Sequence, residues 1–444
     1  MSIPQFIAAY WKTSLEGELL AGGLSISSLA ARHGTPLFIY DRDIVERKYL
    51  ALRKALPKRF SISYSVKANP NPAFLRFFLG KGCGLEIASS GEFFQARNAG
   101  SSPANIVFAG PGKSESELKT VIAAGIGEIH AESELEIERI SAISGKLAVH
   151  AAVAVRVNPN EEGQGGAMRM GGKPAPFGID EEDLEVVLQR IAGDSKLEFR
   201  GIHLFVGTQI LDDNLLLTQY RKAIAIGRRA ARQMGRALHT LDFGGGLGVP
   251  YFDGDSELNL SRFGESLGTV IAEIENEDAF RQTNFMVEPG RFLVGESGIY
   301  VARVTDIKTS RGRKYLILDG GMNHHLAASG NLGQVIKRNF PIAVVSRMQS
   351  PATEVVDVVG PLCTPLDMVG RSVQLAQARV GDLIAIFQSG AYARTASPLG
   401  FLSHPTPPEV WVENGRDFLI RRRGSVEDYV RDVEPVCAEV GSAR

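Results

Sequence analysis

Short apolar runs rich in β-branched residues alternate with helix-like segments through the first 290 residues of the chain. The runs recur at intervals of roughly 20–40 residues, and the segments between them often begin with Ser or Asn, as helices do. Eight runs are predicted to be strands, at residues 60–66, 84–88, 106–109, 128–131, 149–157, 201–206, 240–243 and 285–287. Eight strands that alternate with helices favour a closed (β/α)8 TIM barrel of the α/β class, and an open doubly wound sheet is the alternative.

The sequence changes character after residue 298. Segments such as IYVARVTDI, KYLILDGG, EVVDVVG and EVWVENG are typical of short strands separated by turns, so residues 299–444 are predicted to form a C-terminal all-β domain. The strand-like segment PLFIYD precedes the barrel, and we expect residues 1–40 to pair with the β-domain and residues 41–298 to form the barrel. The Gly-rich segment 158–178 is predicted to be either a lid over the site or a disordered loop.

Composition excludes several classes of protein. The 49 Lys and Arg residues balance 50 Asp and Glu residues, so the chain lacks the basic excess typical of nucleic-acid binding. No apolar run approaches the roughly 20 residues that span a bilayer, and the first residues lack the basic start of a secretory signal. Three cysteines, Cys83, Cys363 and Cys437, are too few for a disulfide framework and share no metal-ligand spacing. We expect a cytoplasmic protein that binds neither nucleic acid nor membrane.

Residues suited to catalysis follow the predicted strands, where barrel enzymes carry their chemistry. Lys67 follows the first strand in YSVKANP, and an apolar barrel mouth is expected to lower its pKa and favour reaction with an aldehyde. The seventh strand runs into the three glycines of DFGGGLG, whose backbone amides could approach an anion closely. The eighth strand ends in VEPGR, which contains Glu288, Gly290 and Arg291.

A lysine, glycine amides and a carboxylate around one barrel mouth match the needs of pyridoxal 5'-phosphate. The lysine holds the aldehyde, the amides hold the phosphate, and the carboxylate keeps the pyridine nitrogen protonated. No His, Asp and Glu cluster with metal-ligand spacing is apparent at the strand ends, so no metal is expected. Each signal is weak alone, and the combination predicts this cofactor.

The motifs YSVKANPNP, GLEIASSGE, DFGGGLGVPY, EPGR, GPLCTPLD and SGAY, in this order, resemble those of the fold-type III decarboxylases. This family contains relatives of diaminopimelate and ornithine decarboxylases, and its barrel is like that of alanine racemase. The segments DGGMNHHLAASGNLGQVIKRNFP and SPLGFLSHPTPPEV resemble more closely the decarboxylases of exosortase A and exopolysaccharide clusters, and the glutamyl-carrier-protein decarboxylase of butirosin biosynthesis.

The resemblance implies a role for each matching residue. Lys67 would bind the aldehyde of the cofactor, and Glu288 would bind its pyridinium nitrogen. Family members usually stack a His on the cofactor ring at the position of Phe205, which can still stack but cannot be protonated. The residues implied at the phosphate and around it are Thr208, Gly245, Gly246, Gly290, Arg291 and Tyr392.

The roles of three further side chains, Arg156, Glu86 and Glu92, stay open. Arg156 orients either the cofactor hydroxyl or the carboxylates of the site, or else forms a structural ion pair. Glu86 stands where many relatives have Asp, and either Glu86 or Glu92 organises the lysine. Capping of a helix is the alternative for Glu92.

The resemblance also implies a homodimer with shared sites, because the GPxC segment of this family enters the site of the neighbouring subunit. Cys363 would then be a catalytic proton donor, whereas Cys83 and Cys437 are expected to be inert. Diaminopimelate decarboxylases carry an acidic residue directly after this cysteine, where this chain has Thr364, and they carry an Arg-Pro element that MNHHLAASG replaces. The charged far end of a diamino acid would therefore be buried without a partner, which is costly.

Candidates for the altered substrate pocket are His324, His325 and Arg338, each with a surface role as the alternative.

We therefore expect an amino-acid decarboxylase, a carboxy-lyase whose substrate is an amino acid or an aminoacyl group on an acyl carrier protein, in exopolysaccharide or secondary-metabolite biosynthesis. The basic segment 421–423 could meet an acidic carrier, or could be an ordinary exposed strand end. The alternatives are a free diamino-acid decarboxylase of the diaminopimelate, ornithine or lysine type, a racemase, and a non-catalytic cofactor-binding protein. A racemase is disfavoured because racemases of this fold place an arginine at the position of Glu288.

Overall fold

The computed structural model describes residues 3–160, 168–169, 174–205, 207–334 and 336–434. Cys437 and most of the segment 158–178 lie outside these residues. No helix among the described residues is long and apolar enough to cross a membrane.

Eight parallel strands close into a barrel, which confirms the predicted fold. Each strand pairs with the next, and the last pairs with the first. In chain order they are β1 (Phe60–Ser65), β2 (Gly84–Ile87), β3 (Ile106–Phe108), β4 (Glu128–Ala131), β5 (Ala151–Asn158), β6 (Leu197–Leu204), β7 (Thr240–Asp242) and β8 (Asn284–Val287). Most of their residues are buried, as expected for strands covered by helices outside and packed side chains inside.

Helices surround the barrel and begin where the sequence supplies capping side chains. Ser89, Ser114 and Ser133 each accept a hydrogen bond from the backbone amide three residues later. Such a cap contributes about 0.5–2 kcal/mol, because it satisfies an amide that the helix leaves unpaired. The helices are Arg42–Ala55, Pro72–Gly80, Ser90–Asn98, Glu115–Ala123, Glu134–Leu147, Leu184–Ala192, Asp213–Met234 and Leu260–Ile274.

A second sheet is built mainly from the C-terminal part of the chain. Its strands are Gly298–Ser310, Arg313–Leu318, Ile342–Val344, Glu354–Val359, Met368–Leu375, Leu383–Ile386, Glu409–Glu413 and Arg416–Arg421. The strand Leu37–Asp41 enters this sheet, antiparallel to Gly298–Ser310 and parallel to Glu409–Glu413. The chain therefore passes through the second sheet before it forms the barrel. The domain boundaries at residues 40 and 298 stay a prediction.

The first residues form a small layer against the second sheet. This layer contains the helices Gln5–Ala8 and Ile26–His33 and the short strands Lys12–Thr13, Leu19–Ala21 and Leu24–Ser25. Its apolar side chains, including Ile7 and Trp11, share one buried core with residues of the second sheet such as Val301 and Val410. A separate and larger core fills the barrel and the space beneath its helices.

Candidate active site

A cavity of about 50 Å³ lies at the carboxyl end of the barrel, lined mainly by side chains and loops that follow the strands. It contains every residue that the sequence implied at the cofactor. These are Lys67, Glu86, Arg156, Phe205, Thr208, Gly245, Gly246, Glu288, Gly290, Arg291 and Tyr392. Barrel closure and the loop after the second-sheet strand Leu383–Ile386 together bring Lys67 and Tyr392, which lie more than 300 positions apart in the chain, to one cavity.

Lys67 lies in a short 3-10 turn, Val66–Ala68, directly after β1. Its Nζ donates to both carboxylate oxygens of Glu86, at 2.9 and 3.1 Å, and Ser65 Oγ donates to the same carboxylate. The lysine side chain is 45% exposed, whereas that of Glu86 is fully buried. The amine is therefore held in a fixed position yet can be reached from the cavity.

The pKa expected for Lys67 from the sequence is wrong in direction. Burial does lower the pKa of this amine, but the nearby carboxylate of Glu86, together with Tyr392 and Glu288, outweighs that effect and raises the pKa above its usual range. Burial in the barrel mouth lowers the pKa of Lys67 as predicted. The carboxylate of Glu86, on the neighbouring strand, is the largest of the contributions that together raise this pKa by more.

The loops after β7 and β8 form the part of the cavity that suits a phosphate. Gly244 and Gly246 have φ values of +66° and +97°, which side-chain-bearing residues rarely adopt. A Cβ on Gly245 would lie 2.7 Å from the carbonyl oxygen of Glu288, and one on Gly290 would lie 2.8 Å from Ala68 Cβ. Only glycines permit two loops to approach this closely.

Arg291 adds a positive charge beside these glycines. Its Nη1 donates to the Tyr251 hydroxyl at 3.0 Å, and its guanidinium lies 4.6 Å from the centre of the Tyr392 ring. Arg291 Nε is buried and has no hydrogen-bond partner among the described residues. Tyr392 is fixed in turn, since its amide donates to the Ala68 carbonyl at 2.8 Å. A cation and loop amides together fit a phosphate.

Glu288 lies at the bottom of the same cavity, directly after β8. Its side chain is 5% exposed, and Oε1 has no hydrogen-bond partner among the described residues. Although burial raises the pKa of this carboxyl, His203, His130 and Lys67 outweigh burial and lower the pKa below its usual range. An ionised carboxylate with a free oxygen is a fitting partner for a protonated pyridine nitrogen. Phe205 borders the cavity where an aromatic ring could stack.

Beneath Glu288 lies a buried histidine that sequence reasoning missed. His130, on β4, groups with His203, Asp242 and Glu288 so that one ligand-type atom of each lies within 4.8 Å of the others. The expectation that the strand ends carry no such cluster was therefore wrong. The four residues come from four strands, so no local spacing reveals them. The available signal was the alternation in EIHA, which places Glu128 and His130 on one face of β4.

Arg156 forms the structural ion pair that was one of its two interpretations. Its Nη1 donates to Glu132 Oε1 at 2.7 Å, and the same carboxylate accepts from the amides of Gly110 and Gly178 at 2.6 and 3.1 Å. The guanidinium also lies 5.2 Å from the Phe177 ring and borders the cavity. Arg156 therefore holds loops together around the site and faces its contents.

Glu92 caps the start of the helix Ser90–Asn98 through hydrogen bonds. Its carboxylate accepts from the Ala88 amide at 2.6 Å, while its own amide donates to the N-cap Ser89. Burial is the main reason that the pKa of this carboxyl is raised to about 7. The residue bonded to Lys67 is thus Glu86, and Glu92 has the capping role.

Cys363 is exposed and lines neither cavity beside Lys67 of the same chain. Its turn is held by the buried Asp367, which accepts from the amides of Leu362 and Met322 at 2.9 and 2.7 Å. The thiol is therefore presented outward on a fixed turn. Cys83, in contrast, is buried, and burial raises the pKa of its thiol to about 12.

The two histidines proposed for the substrate pocket are neither pocket nor surface residues. His325 Nε2 lies 2.9 Å from Ser389 Oγ, and His324 Nδ1 lies 3.1 Å from the Tyr300 hydroxyl. Both rings are buried, and burial lowers the pKa of each to about 3. They lock the loop after Asp319 onto the second sheet.

The arginines proposed for the substrate have structural contacts as well. Arg338 packs 4.1 Å from the Phe252 ring and borders neither cavity at Lys67. Arg421 pairs with the buried Glu409, and Arg423 donates to the Pro36 carbonyl at 3.0 Å. Of the basic segment 421–423, Arg422 remains exposed.

An outer chamber of about 330 Å³ opens in front of Lys67. Its wall is largely apolar, and the contributing residues include Ala88, Ala109, Pro111, Phe177, Ala327 and Leu332. Glu86 is the sole carboxylate among the described residues that line it, and Glu86 is paired with Lys67. The part of the chamber wall that the structure describes therefore offers no free negative charge to a substrate.

Comparison with known proteins identifies relatives along the whole chain. Residues 42–295 match the sequence model of the pyridoxal-dependent decarboxylases, pyridoxal binding domain. The chain is 37% identical to the L-glutamyl-[BtrI acyl-carrier protein] decarboxylase of Niallia circulans, over 91% of this chain and 95% of that protein. It is 31% identical to the diaminopimelate decarboxylase of Aquifex aeolicus, over 95% and 96%. The solved diaminopimelate decarboxylase of M. jannaschii superposes with a TM-score of 0.88 at 25% identity, covering 97% of this chain and 99% of that one.

Proposed function

This chain belongs to the fold-type III pyridoxal-dependent decarboxylases, and we propose that its substrate is an aminoacyl group attached to an acyl carrier protein. The enzyme is a carboxy-lyase that uses pyridoxal 5'-phosphate. The cofactor, when bound, supplies the electron sink that loss of an α-carboxylate requires. Because the α-carboxylate is the group that leaves, a tethered substrate must be attached to its carrier through its side chain.

We assign the cofactor contacts from the cavity geometry. Lys67 binds the aldehyde carbon, and Glu86 orients the lysine amine. The amides around Gly245 and Gly246, together with Arg291, hold the phosphate. Glu288 would hold a proton on the pyridine nitrogen when the cofactor is bound, and a carboxylate at this position favours decarboxylation over racemisation, since a protonated ring withdraws electrons more strongly.

The outer chamber is the observation that supports a tethered substrate. A free diamino acid would bring its far ammonium group against an apolar wall, where the described residues offer no unpaired carboxylate. An aminoacyl thioester has no charge at its far end, because its side-chain carboxyl is esterified. One relative is named as the decarboxylase of a glutamyl group on an acyl-carrier protein, which supports a tethered substrate here.

Catalysis is proposed to need two copies of the chain. Cys363 is exposed on the fixed turn and does not line either cavity at Lys67 of its own chain. In a homodimer with shared sites, Cys363 of one copy would give a proton to the carbon that has lost CO2 in the other. The division into residues 1–40, 41–298 and 299–444 belongs to this proposal, with the last segment completing the second copy's site.

The test is release of CO2 from matched substrates by the holoenzyme. Glutamyl-carrier protein, free glutamate, diaminopimelate, ornithine and lysine would each be supplied to wild type and to Lys67→Ala. CO2 from the tethered substrate alone, absent with Lys67→Ala, is the expected result and would place the enzyme in exopolysaccharide or secondary-metabolite chemistry. CO2 from none of these substrates would contradict the tethered proposal, provided that borohydride reduction still attaches the cofactor to Lys67.

Free diaminopimelate is the second candidate substrate, because a curated relative and a solved structure with that activity match nearly the whole chain. CO2 released from diaminopimelate and not from glutamyl-carrier protein would establish this alternative. Thr364 argues against it, since a neutral side chain stands where those enzymes have an acidic residue.

A further inference from the structure

His130 lies between two carboxylates at the closed side of the cofactor cavity. Its Nε2 is 3.0 Å from Glu128 Oε1, and its Nδ1 is 3.7 Å from Glu288 Oε1. The imidazole is 0% exposed, so bulk solvent does not reach it. Neither His130 Nδ1 nor Glu288 Oε1 has a hydrogen-bond partner among the described residues, so the two atoms face each other across a gap longer than a hydrogen bond.

We propose that His130 is a positioning residue that keeps Glu288 ionised and directs it toward the pyridine nitrogen. The inference rests on the proposed role of Glu288 and not on the identity of the substrate. His130 itself touches neither cofactor cavity, so it acts through Glu288.

The buried charges explain why such a residue is needed. Glu128, Asp242 and Glu288 are three carboxylates with exposed fractions of 6% or less. Burial of several like charges without compensation is expensive, so some of them must be protonated or paired. Burial and the neighbouring Glu288 raise the pKa of Asp242 well above its usual range. Glu288 then stays the anion only if positive charge lies close to it.

The groups that face this cluster come from every side. His203 Nε2 lies 3.3 Å from Glu288 Oε2, and burial lowers the pKa of this imidazole to about 4. Lys67 is engaged with Glu86 at the mouth, and Tyr220 packs behind Asp242. His203 thus faces Oε2 of Glu288, whereas His130 faces Oε1, and both imidazoles, together with Lys67, lower the pKa of this carboxyl.

The expected consequence appears in how strongly the protein distinguishes two cofactors. Pyridoxal phosphate and its 1-deaza analogue differ in the ring atom that faces Glu288, and the analogue cannot accept the proton. Hydroxylamine would first be used to remove the cofactor from the enzyme. The cofactor-free enzyme would then be titrated with each of the two ligands to give their dissociation constants. We expect His130→Gln to reduce the preference for pyridoxal phosphate roughly tenfold, because the imidazole that faces Glu288 Oε1 and lowers the pKa of this carboxyl is lost. Affinity for the analogue should change little.

Three further variants make the outcome decisive. Glu288→Gln should abolish the preference, Glu128→Gln should reduce it, and His239→Gln, an exposed imidazole at the start of β7, should leave it intact. Equal weakening of both ligands by His130→Gln, or no change, would overturn the inference as long as Glu288→Gln still abolishes the preference. An intact preference in Glu288→Gln would overturn the role of Glu288 as well.

The same four side chains could in principle bind a cation, so the metal content of the purified holoenzyme is a separate check. A stoichiometric divalent metal that is lost in His130→Gln would overturn the proposal, because His130 would then be a ligand. If His130→Gln does not fold, Glu128→Gln carries the test alone, since it removes the charge that holds the imidazole and leaves the ring in place.

Discussion

Lys67 and Glu86 are joined by two hydrogen bonds, 2.9 and 3.1 Å long, across neighbouring barrel strands. The carboxylate is fully buried, and the amine faces the cavity. This pair fixes the lysine and also keeps it protonated, because the negative charge raises its pKa. The pair therefore positions the amine but lowers its intrinsic nucleophilicity.

Glu86→Gln should shift the uptake of cofactor toward lower pH. The amide keeps the size of the side chain but removes its charge, so the pKa of Lys67 falls and more amine is unprotonated at a given pH. The pH profile of the rate at which resolved enzyme takes up pyridoxal phosphate should move down by about one unit or more. Glu92→Gln is the matched control, because that carboxylate bonds to the Ala88 amide rather than to Lys67. An unchanged profile in Glu86→Gln would exclude this role.

Gly245→Ala should weaken cofactor binding by at least about tenfold. The added methyl would lie 2.7 Å from the Glu288 carbonyl oxygen, so the loop after β7 must move away from the loop after β8. Gly268→Ala is the control, since no atom lies within 4 Å of its added carbon and it sits within the helix Leu260–Ile274. That change should raise the free energy of unfolding by about 0.5–1 kcal/mol. Fluorescence titration and urea unfolding measure the two effects, and equal affinities for the two variants would contradict the role of the loop.

His325 should make the protein less stable in mild acid. Burial lowers the pKa of this imidazole to about 3, against about 6.5 in the unfolded chain. Between these values the unfolded chain binds a proton that the folded chain does not, so the free energy of unfolding decreases as pH falls, by up to about 1.4 kcal/mol per pH unit. His325→Gln should be less stable at pH 7.5, because the Ser389 contact changes, yet lose less stability on going to pH 5.

Urea unfolding at the two pH values provides the measurement for His325→Gln. His239→Gln is the control, because the imidazole of His239 is exposed and lies apart from the buried contact between His325 and Ser389. His324 should contribute like His325, since burial lowers the pKa of both. An identical loss of stability in wild type and His325→Gln would show that this histidine is not the group responsible.

The barrel and much of its site could be predicted because both depend on local patterns. Alternating strands and helices determine the closed barrel, and the strand ends then determine which residues meet. Lys67, the glycines after β7 and Glu288 were found in this way. Their residue types suit the cofactor, and a barrel leaves a residue at the end of a strand few other places to point.

The errors arise where contacts cross between strands or layers. The pKa of Lys67 depends on Glu86, which belongs to another strand. His130 comes close to Glu288 only because β4 and β8 face each other inside the barrel. His324 and His325 look like turn residues, but Tyr300 and Ser389 bury them beneath the second sheet. The members of each pair lie at least 19 positions apart in the chain, so no short stretch of sequence contains both.

Two inactive variants should restore activity when mixed, if the sites are shared. Lys67→Ala damages one half of a site and Cys363→Ala the other half, so each homodimer contains no complete site. After the two proteins are denatured together and refolded, half of the dimers are mixed, and each mixed dimer has one intact site. The mixture should therefore recover about one quarter of wild-type CO2 release. Refolded wild type gives the reference value, and each variant refolded alone gives the background. A mixture that stays at background while refolded wild type recovers would place Cys363 outside the second copy's site, because the exposed thiol would then serve neither cavity.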